Sequence, residues 1–553
     1  MNTQVNRPGM LAGALAGLLA TVPLATLFYL ADRLAGLAFV PFDVFDWAAR
    51  VLPGGVITFG IDVLIALIGG VGLGPTAAVA KAAEQLLALG LFFGLGIGIG
   101  AIFFLVLWAR AGRFSGLQAG LILGGGIGVL AALLSLSVNR TATAPQTVSA
   151  AWVFAAFLGW GAALGRMFDH LSAPLRVKTL PEASPVELAP IASVEPINRR
   201  QFLIRVGGAA AMITLVSVGL SAALNTRREA VWGAVTEAIP SAGAPPDLPN
   251  ADDPVQPAPG TRPEYTPVED HYQVSINLRA PVRDMAAWTL AITGLVDNPL
   301  TLTLDDIRNN YAPIDRYVTL SCISNPVGGD LIGTTRWTGA SLRAILNDAG
   351  LQPQARFLKI TSADGFHETL DLSVLNTDER IMLCYAWDGQ PLTEGHGAPL
   401  RIYIPDRYGM KQPKWITEIE ATETYEEGYW VRRGWDEVAR MQTTSVIDTV
   451  ATDALIEEGD RTLVPIGGIA HAGDRGISKV EVQVDDGAWV EAQLRGPLSD
   501  TTWVIWRYDW PFQAGPHTFR VRCYEGGGVL QSERSRGAHP SGATGIHVRR
   551  LTV

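Results

Sequence analysis

The first 170 or so residues cannot fold as an ordinary water-soluble domain. From Met10 to about Phe168 charged side chains are sparse and Ala, Gly, Leu and Ile dominate, so polar surface is too scarce to cover a globular core. Roughly 20 apolar residues match the thickness of a bilayer's hydrocarbon core, and five such runs occur, at about 10–30, 55–73, 88–109, 117–137 and 149–167. A membrane region of about five helices over residues 1–170 is therefore expected. Glycines four apart, at Gly90, Gly94 and Gly98 and at Gly120, Gly124 and Gly128, let helix backbones approach closely, so the third and fourth spans are expected to pack on each other or on a partner. Asp62 falls inside the second span, where a carboxylate needs a partner or a cavity. The eight histidines, at 170, 271, 367, 396, 471, 517, 539 and 547, all lie outside the spans, which argues against a bis-histidine haem there.

A sixth apolar run, Val206 to Leu224, differs in kind. It follows Asn198-Arg-Arg-Gln-Phe-Leu-Ile-Arg and resembles a twin-arginine export signal placed internally, a route for proteins folded around a cofactor. With Arg199 and Arg200 inside, the inner loops hold Arg33, Arg50, Arg110, Arg113 and the cluster from Arg166 to Arg205, and the outer side has Arg7, Lys81 and Arg140. That bias places both the N-terminus and the C-terminal half outside, although Arg227 and Arg228 run against it. Residues 171–239 read as a cytoplasmic linker with this segment and a sixth membrane helix, and 240–268, with nine prolines, as an extended tether.

The remainder has the composition of a soluble protein. Three cysteines, Cys322, Cys384 and Cys523, allow at most one disulfide and form no CxxC pair for zinc, iron-sulfur or covalent haem. The net charge of −10 and the lack of a basic stripe with interleaved aromatics argue against nucleic acid. Short alternating runs such as Trp288-Thr-Leu-Ala-Ile-Thr-Gly-Leu-Val predict strands, Asp305–Tyr311 and Ser341–Ala349 predict short helices, and the whole reads as α+β. After Thr443, alternating runs with turn residues every eight to twelve positions predict a β-sandwich over 441–553.

Four segments between about 270 and 425 resemble the sulfite-oxidase family of molybdopterin enzymes. They are the Cys322 loop with Trp337-Thr-Gly-Ala-Ser-Leu, then Thr361-Ser-Ala-Asp-Gly-Phe-His-Glu, Asp388-Gly-Gln-Pro-Leu, and His396-Gly-Ala-Pro-Leu-Arg through Lys414-Trp. The resemblance implies a molybdopterin-binding domain over 269–440 followed by an immunoglobulin-like domain of the kind that often mediates dimers, so a homodimer is an open expectation. It implies a molybdenum-molybdopterin cofactor with Cys322 as the thiolate on the metal, a soft donor suited to it. Arg401 and Lys414 would hold the cofactor's phosphate, one as a bidentate fork and one as a point charge. His396, Thr361, Asn277 and the chain around Gln412 match positions that would hydrogen-bond the pterin or phosphate.

The chain also departs from the family pattern. Ser275 stands where an active-site Arg is expected, and Phe366 where a substrate-side Tyr is expected, with His367 beside it as a candidate proton-handling group. A sulfite dianion needs cationic recognition, so oxo transfer on another small molecule, in either direction, is as open as sulfite. The leading expectation is a multi-pass protein of a prokaryotic cytoplasmic membrane with its catalytic half outside. Electrons would pass to an external carrier, a cytochrome or a quinone-linked subunit. Two alternatives are a sulfite dehydrogenase proper and a non-catalytic surface module that keeps the family fold.

Overall fold

The computed structural model describes residues 8–52, 77–109, 115–172, 248–281 and 287–553. The second and sixth predicted spans, Asp62 and the paired arginines Arg199 and Arg200 lie outside the described residues. The chain divides into two units, one built from Met1–Leu52 and Ala82–Ala234, the other from Pro53–Lys81 and Val235–Val553.

The first unit is helical: α1 (Met10–Ala35), α2 (Val40–Val51), α3 (Ala77–Ala109), α4 (Gly116–Val138) and α5 (Gln146–Ser172). Four stretches, Met10–Ala35, Glu84–Ala109, Gly116–Val138 and Gln146–Ser172, are long and apolar enough to cross a membrane. α2 is a short amphipathic helix the sequence reading passed over. It buries Asp43, whose carboxylate accepts from Ser135 Oγ (2.5 Å) and Asn139 Nδ2 (2.7 Å) at the end of α4. Helix α4 starts with a Ser115/Gln118 capping box, and Asp169 of α5 accepts from the first amides, Gly116 N (2.6 Å) and Leu117 N (2.9 Å).

The glycine rows pack as close-contact seams, with one correction. Gly120 and Gly124 of α4 lie against Gly161 and Gly165 of α5, so the row joins the fourth span to the fifth. On α3, a Cβ at Gly90, Gly94 or Gly98 would meet nothing within 4 Å. The glycines that work there are Gly96 and Gly100, against Gly13 and Gly17 of α1. A shift of two residues moves a side chain about 200° around a helix, which is why spacing alone chose the wrong face.

The second unit is rich in strand. Its first sheet runs β2 (Leu300–Thr303), β1 (Thr289–Gly294), β10 (Ile416–Thr422), β5 (Phe357–Ser362), β6 (His367–Asp371), with β1 and β10 parallel. A second runs β3 (Pro313–Ser321), β4 (Ile332–Ser341), β7 (Met382–Trp387), β8 (Gln390–Pro391), with β9 (Arg401–Tyr403) also on β7. Helices α6 (Leu304–Asn310), α7 (Leu342–Ala349) and α8 (Leu372–Thr377) begin at Thr303, Ser341 and Asp371, whose side chains accept from amides in the first turn. Leu290, Ile292, Ile345, Leu358, Ile360, Leu400 and Ile419 fill the core these elements share.

Two further sheets follow, β11 (Thr444–Val450), β13 (Arg461–His471), β17 (Val504–Pro511), β16 (Gln493–Leu494) and β15 (Val490–Glu491), β14 (Ile477–Val484), β18 (Pro516–Glu525), β19 (His547–Thr552), with β12 (Ile456–Glu458) on β13. They enclose Val464, Ile466, Val480, Trp506, Phe519 and Val521. The described part of the Pro-rich stretch is extended but docked. Buried Glu264 pairs with buried Arg495 (2.8 Å), whose guanidinium also donates to Asn250 O and Val255 O, and Thr266 N donates to Thr334 O (2.7 Å).

Candidate active site

Cys322 is the first residue after β3. Its amide donates to Leu331 O (2.9 Å), its carbonyl accepts from Asn325 N (3.1 Å), and Asn325 Oδ1 accepts from Leu331 N (3.0 Å). The loop between the paired residues Ser321 and Ile332 is thus closed at its base. Its tip turns at Gly328, with φ of +86°, where a Cβ would come within 2.6 Å of His547 Nε2. Arg262, held by Asp448 (2.7 Å), donates to Gly329 O (3.4 Å). The Cys322 loop is therefore clasped by residues that come before and after the domain that carries it. The Cys322 sulfur is buried, 3.0 Å from Ser324 Oγ. Burial pushes its thiol pKa up, while the Ser324 hydrogen bond and the Lys414 charge pull it down.

Two of the anticipated cofactor residues converge. Arg401, on β9, is buried under the Trp337 ring (4.7 Å) and donates to His396 O (3.1 Å). Lys414 Nζ donates to Val274 O (2.9 Å), Ser275 Oγ (2.8 Å) and Gly395 O (3.0 Å). Gly397, φ +115°, sits between them: a Cβ there would lie 3.1 Å from the Cβ of each. Among the described residues, the hydrogen bonds of both cations run to carbonyls and a hydroxyl, with no carboxylate among them. Burial lowers the Arg401 pKa, and burial together with the Arg401 charge lowers that of Lys414 strongly. A buried guanidinium next to a half-buried ammonium with no carboxylate bonded to either is costly, and an anion between them removes the penalty. The donor set fits the phosphate-bearing, thiolate-ligated group the motifs imply.

The other anticipated residues fall less simply. His396 is buried against Trp387 (4.4 Å), with Nδ1 2.8 Å from Thr393 Oγ1 and Nε2 3.2 Å from His271 O. Both ring nitrogens are thus engaged by protein, and burial drives its pKa far down, so the neutral ring positions the Arg401 carbonyl partner rather than offering a free donor. Gln412 spends its amide on its own loop, donating to Ile404 O (3.3 Å) and Arg407 O (2.8 Å) and accepting from Ile404 N. Asn277 is buried and donates to Asp364 O (3.4 Å). Thr361 lies opposite His367 across the β5–β6 pair, so the two share a sheet face.

His367 is not brought into the Cys322 group. Its Nε2 lies 3.9 Å from Glu426, and the charges that act on it are Arg432, Glu426 and Lys359, not Arg401 or Lys414. Phe366 is buried beside Tyr429 (5.7 Å). A phenol the sequence reading missed does reach the site. Tyr272 stacks on His271 (5.3 Å), its hydroxyl lies 2.9 Å from where a Cβ on Gly409 would be, and its pKa is pushed well up by burial and then by Cys322. Only the pairing of His271-Tyr272 upstream of Ser275 could have flagged it.

The family described as "Oxidoreductase molybdopterin binding domain" matches residues 277–430. The uncharacterized oxidoreductase YuiH of Bacillus subtilis (strain 168) is 32% identical over 152 residues, covering 28% of this chain and 74% of that protein. The mitochondrial sulfite oxidase of Macaca fascicularis is 27% identical over 296 residues, 45% of this chain and 53% of the enzyme. The nitrate reductase [NADH] 1 of Oryza sativa subsp. japonica is 26% identical over 300 residues, 44% of this chain and 33% of that one. The chain spans about half the length of the mitochondrial sulfite oxidases it matches.

Proposed function

This chain belongs to the sulfite-oxidase family of molybdenum-cofactor oxidoreductases, and we propose that it catalyses oxo transfer on a small molecule at the Cys322 site while its helical unit anchors it in a membrane. In this reading the catalytic half faces outside a prokaryotic cytoplasmic membrane, the paired arginines serve as its export signal, and electrons pass to an external carrier. The two C-terminal sheets would form the immunoglobulin-like domain, following the 269–440 domain. The observation that carries the reading is the pair of cations, buried Arg401 and half-buried Lys414, beside the buried Cys322 thiol.

When bound, the molybdenum cofactor supplies two-electron oxo-transfer chemistry. The protein's part is to hold and shape. Cys322 would release its proton to become the metal's protein ligand, with the Ser324 hydroxyl and the Lys414 charge favouring the thiolate. Arg401 and Lys414 would bind the anionic end of the cofactor, and His396 would fix the Arg401 guanidinium through its carbonyl. Tyr272, whose hydroxyl makes no hydrogen bond among the described residues, would present a phenol to the reacting face, in place of the one Phe366 lacks. Ser275 Oγ accepts from Lys414 and brings no positive charge of its own to the position where a guanidinium would recognise an oxyanion, which favours neutral S- or N-oxides, or the species they yield, over sulfite.

The test is metal and pterin content of protein purified from a cofactor-competent host. About one molybdenum per chain is expected, falling at least tenfold in Arg401→Gln, as loss of a charged hydrogen-bonding group implies. Cys322→Ser should fold and lose turnover. Wild-type protein devoid of molybdenum would favour the non-catalytic alternative, and turnover of sulfite in preference to neutral oxides would restore the sulfite dehydrogenase reading.

A further inference from the structure

The helical unit has a half-open cavity of about 200 Å3 at the junction of the α4 C-terminus and the α5 N-terminus. Ala38, Ala132, Leu136 and Ala150 give it flat apolar walls, and Arg140 and Ser149 are among its polar residues. Ser149 is only 6% exposed, and its hydroxyl has no hydrogen-bond partner among the described residues. A helical serine ordinarily returns its hydroxyl to the carbonyl four residues back. Here that carbonyl, Pro145 O, already accepts from the amides of Val148 and Ser149. A buried unpaired hydroxyl is costly, and in a cavity of this size it is a donor waiting for an acceptor.

The lining narrows the class of occupant. Among the described residues no carboxylate lines the cavity, so a cation gains nothing. An anion gains little as well, because the Arg140 charge on the lining is offset by the Asp43 carboxylate directly behind the lining residues Ser135 and Asn139, bonded to both. What remains is a neutral molecule, flat enough for alanine walls and bearing acceptors but few donors. Small planar rings with carbonyl oxygens meet that description, and those that reside in membranes are quinones.

We propose that this cavity binds the head ring of a membrane quinone, with the Ser149 hydroxyl donating to a ring carbonyl. The inference deepens the preceding one, since it names the electron carrier of a membrane-anchored oxidoreductase and rests on that reading. The full chain in nanodiscs is titrated with decylubiquinone, following quenching of tryptophan fluorescence. Saturable binding is expected, weakened about tenfold by Ser149→Ala, the loss of one buried hydrogen bond, and abolished by Ala132→Phe at unchanged melting temperature. Absence of saturable binding, or binding indifferent to both substitutions, overturns the proposal, as does native mass spectrometry that finds a phospholipid displaced by Ala132→Phe. Molybdenum content and turnover with a soluble dye are measured on the same samples. If they persist while quinone binding fails, only this inference falls; if molybdenum is absent while quinone binds, only the enzymatic reading falls.

Discussion

Lys411 and Glu368 form an ion pair of 2.6 Å with side-chain exposures of 6% and 1%. Removing one partner strands the other's charge in the interior. Lys411→Met is expected to cost about 3–5 kcal/mol, and Glu368→Gln added to it should recover much of that loss, read by chemical denaturation. His471 offers a pH test. It is buried, 3.0 Å from Met441 Sδ, and burial followed by the Arg475 charge lowers its pKa to about 3. The folded state therefore keeps it neutral while the unfolded chain protonates near the ordinary value of 6.5. Stability held above that value is lost as pH falls, by about 2 kcal/mol between pH 7 and pH 5, and His471→Leu should flatten that part of the slope in a thermal-melt series. Cys322, Arg401 and Lys414 were legible in the sequence because each sits in a motif of fixed spacing. Tyr272 was not, and neither were the engagement of both His396 nitrogens and the separation of His367, because these depend on which face of a strand meets which loop.

Among the elements, the helices were legible as apolar runs and the strands as alternations, but their contact faces were not. The α4–α5 seam is set by Gly120, Gly124 and Gly161, where backbone meets backbone. Gly161→Leu is expected to cost about 2 kcal/mol or more through overpacking, lowering the melting temperature in detergent, whereas Gly94→Leu should be nearly neutral because its Cβ direction is open. Hydropathy treats these two glycines alike; only the packing partner separates them. The same holds for α2, whose buried Asp43 and Asp46 hid it from a reading based on apolar length.

For the whole molecule, composition correctly separated a helical part from a strand-rich part, but it read residues 240–268 as a free tether. Prolines kept that stretch out of sheets without keeping it off them. Arg495 and Glu264 are both about 6% exposed at the side chain, so a soluble fragment beginning at residue 269 leaves Arg495 buried and unpaired. It should melt clearly lower than one beginning at residue 248, by about 3 kcal/mol or more in denaturant. The parallel pairing of β1 with β10 carries a further consequence, for the order of events during synthesis. Cys322, His396, Arg401 and Lys414 all lie in the stretch between those two strands. A parallel pair cannot close until its whole crossover exists, so the first sheet waits for Ile416–Thr422 to leave the ribosome. By then every residue of the cofactor site has already emerged, and closing the sheet and completing the cradle become a single late step. Any cofactor insertion, and any crossing of a membrane in the folded state, must come after it.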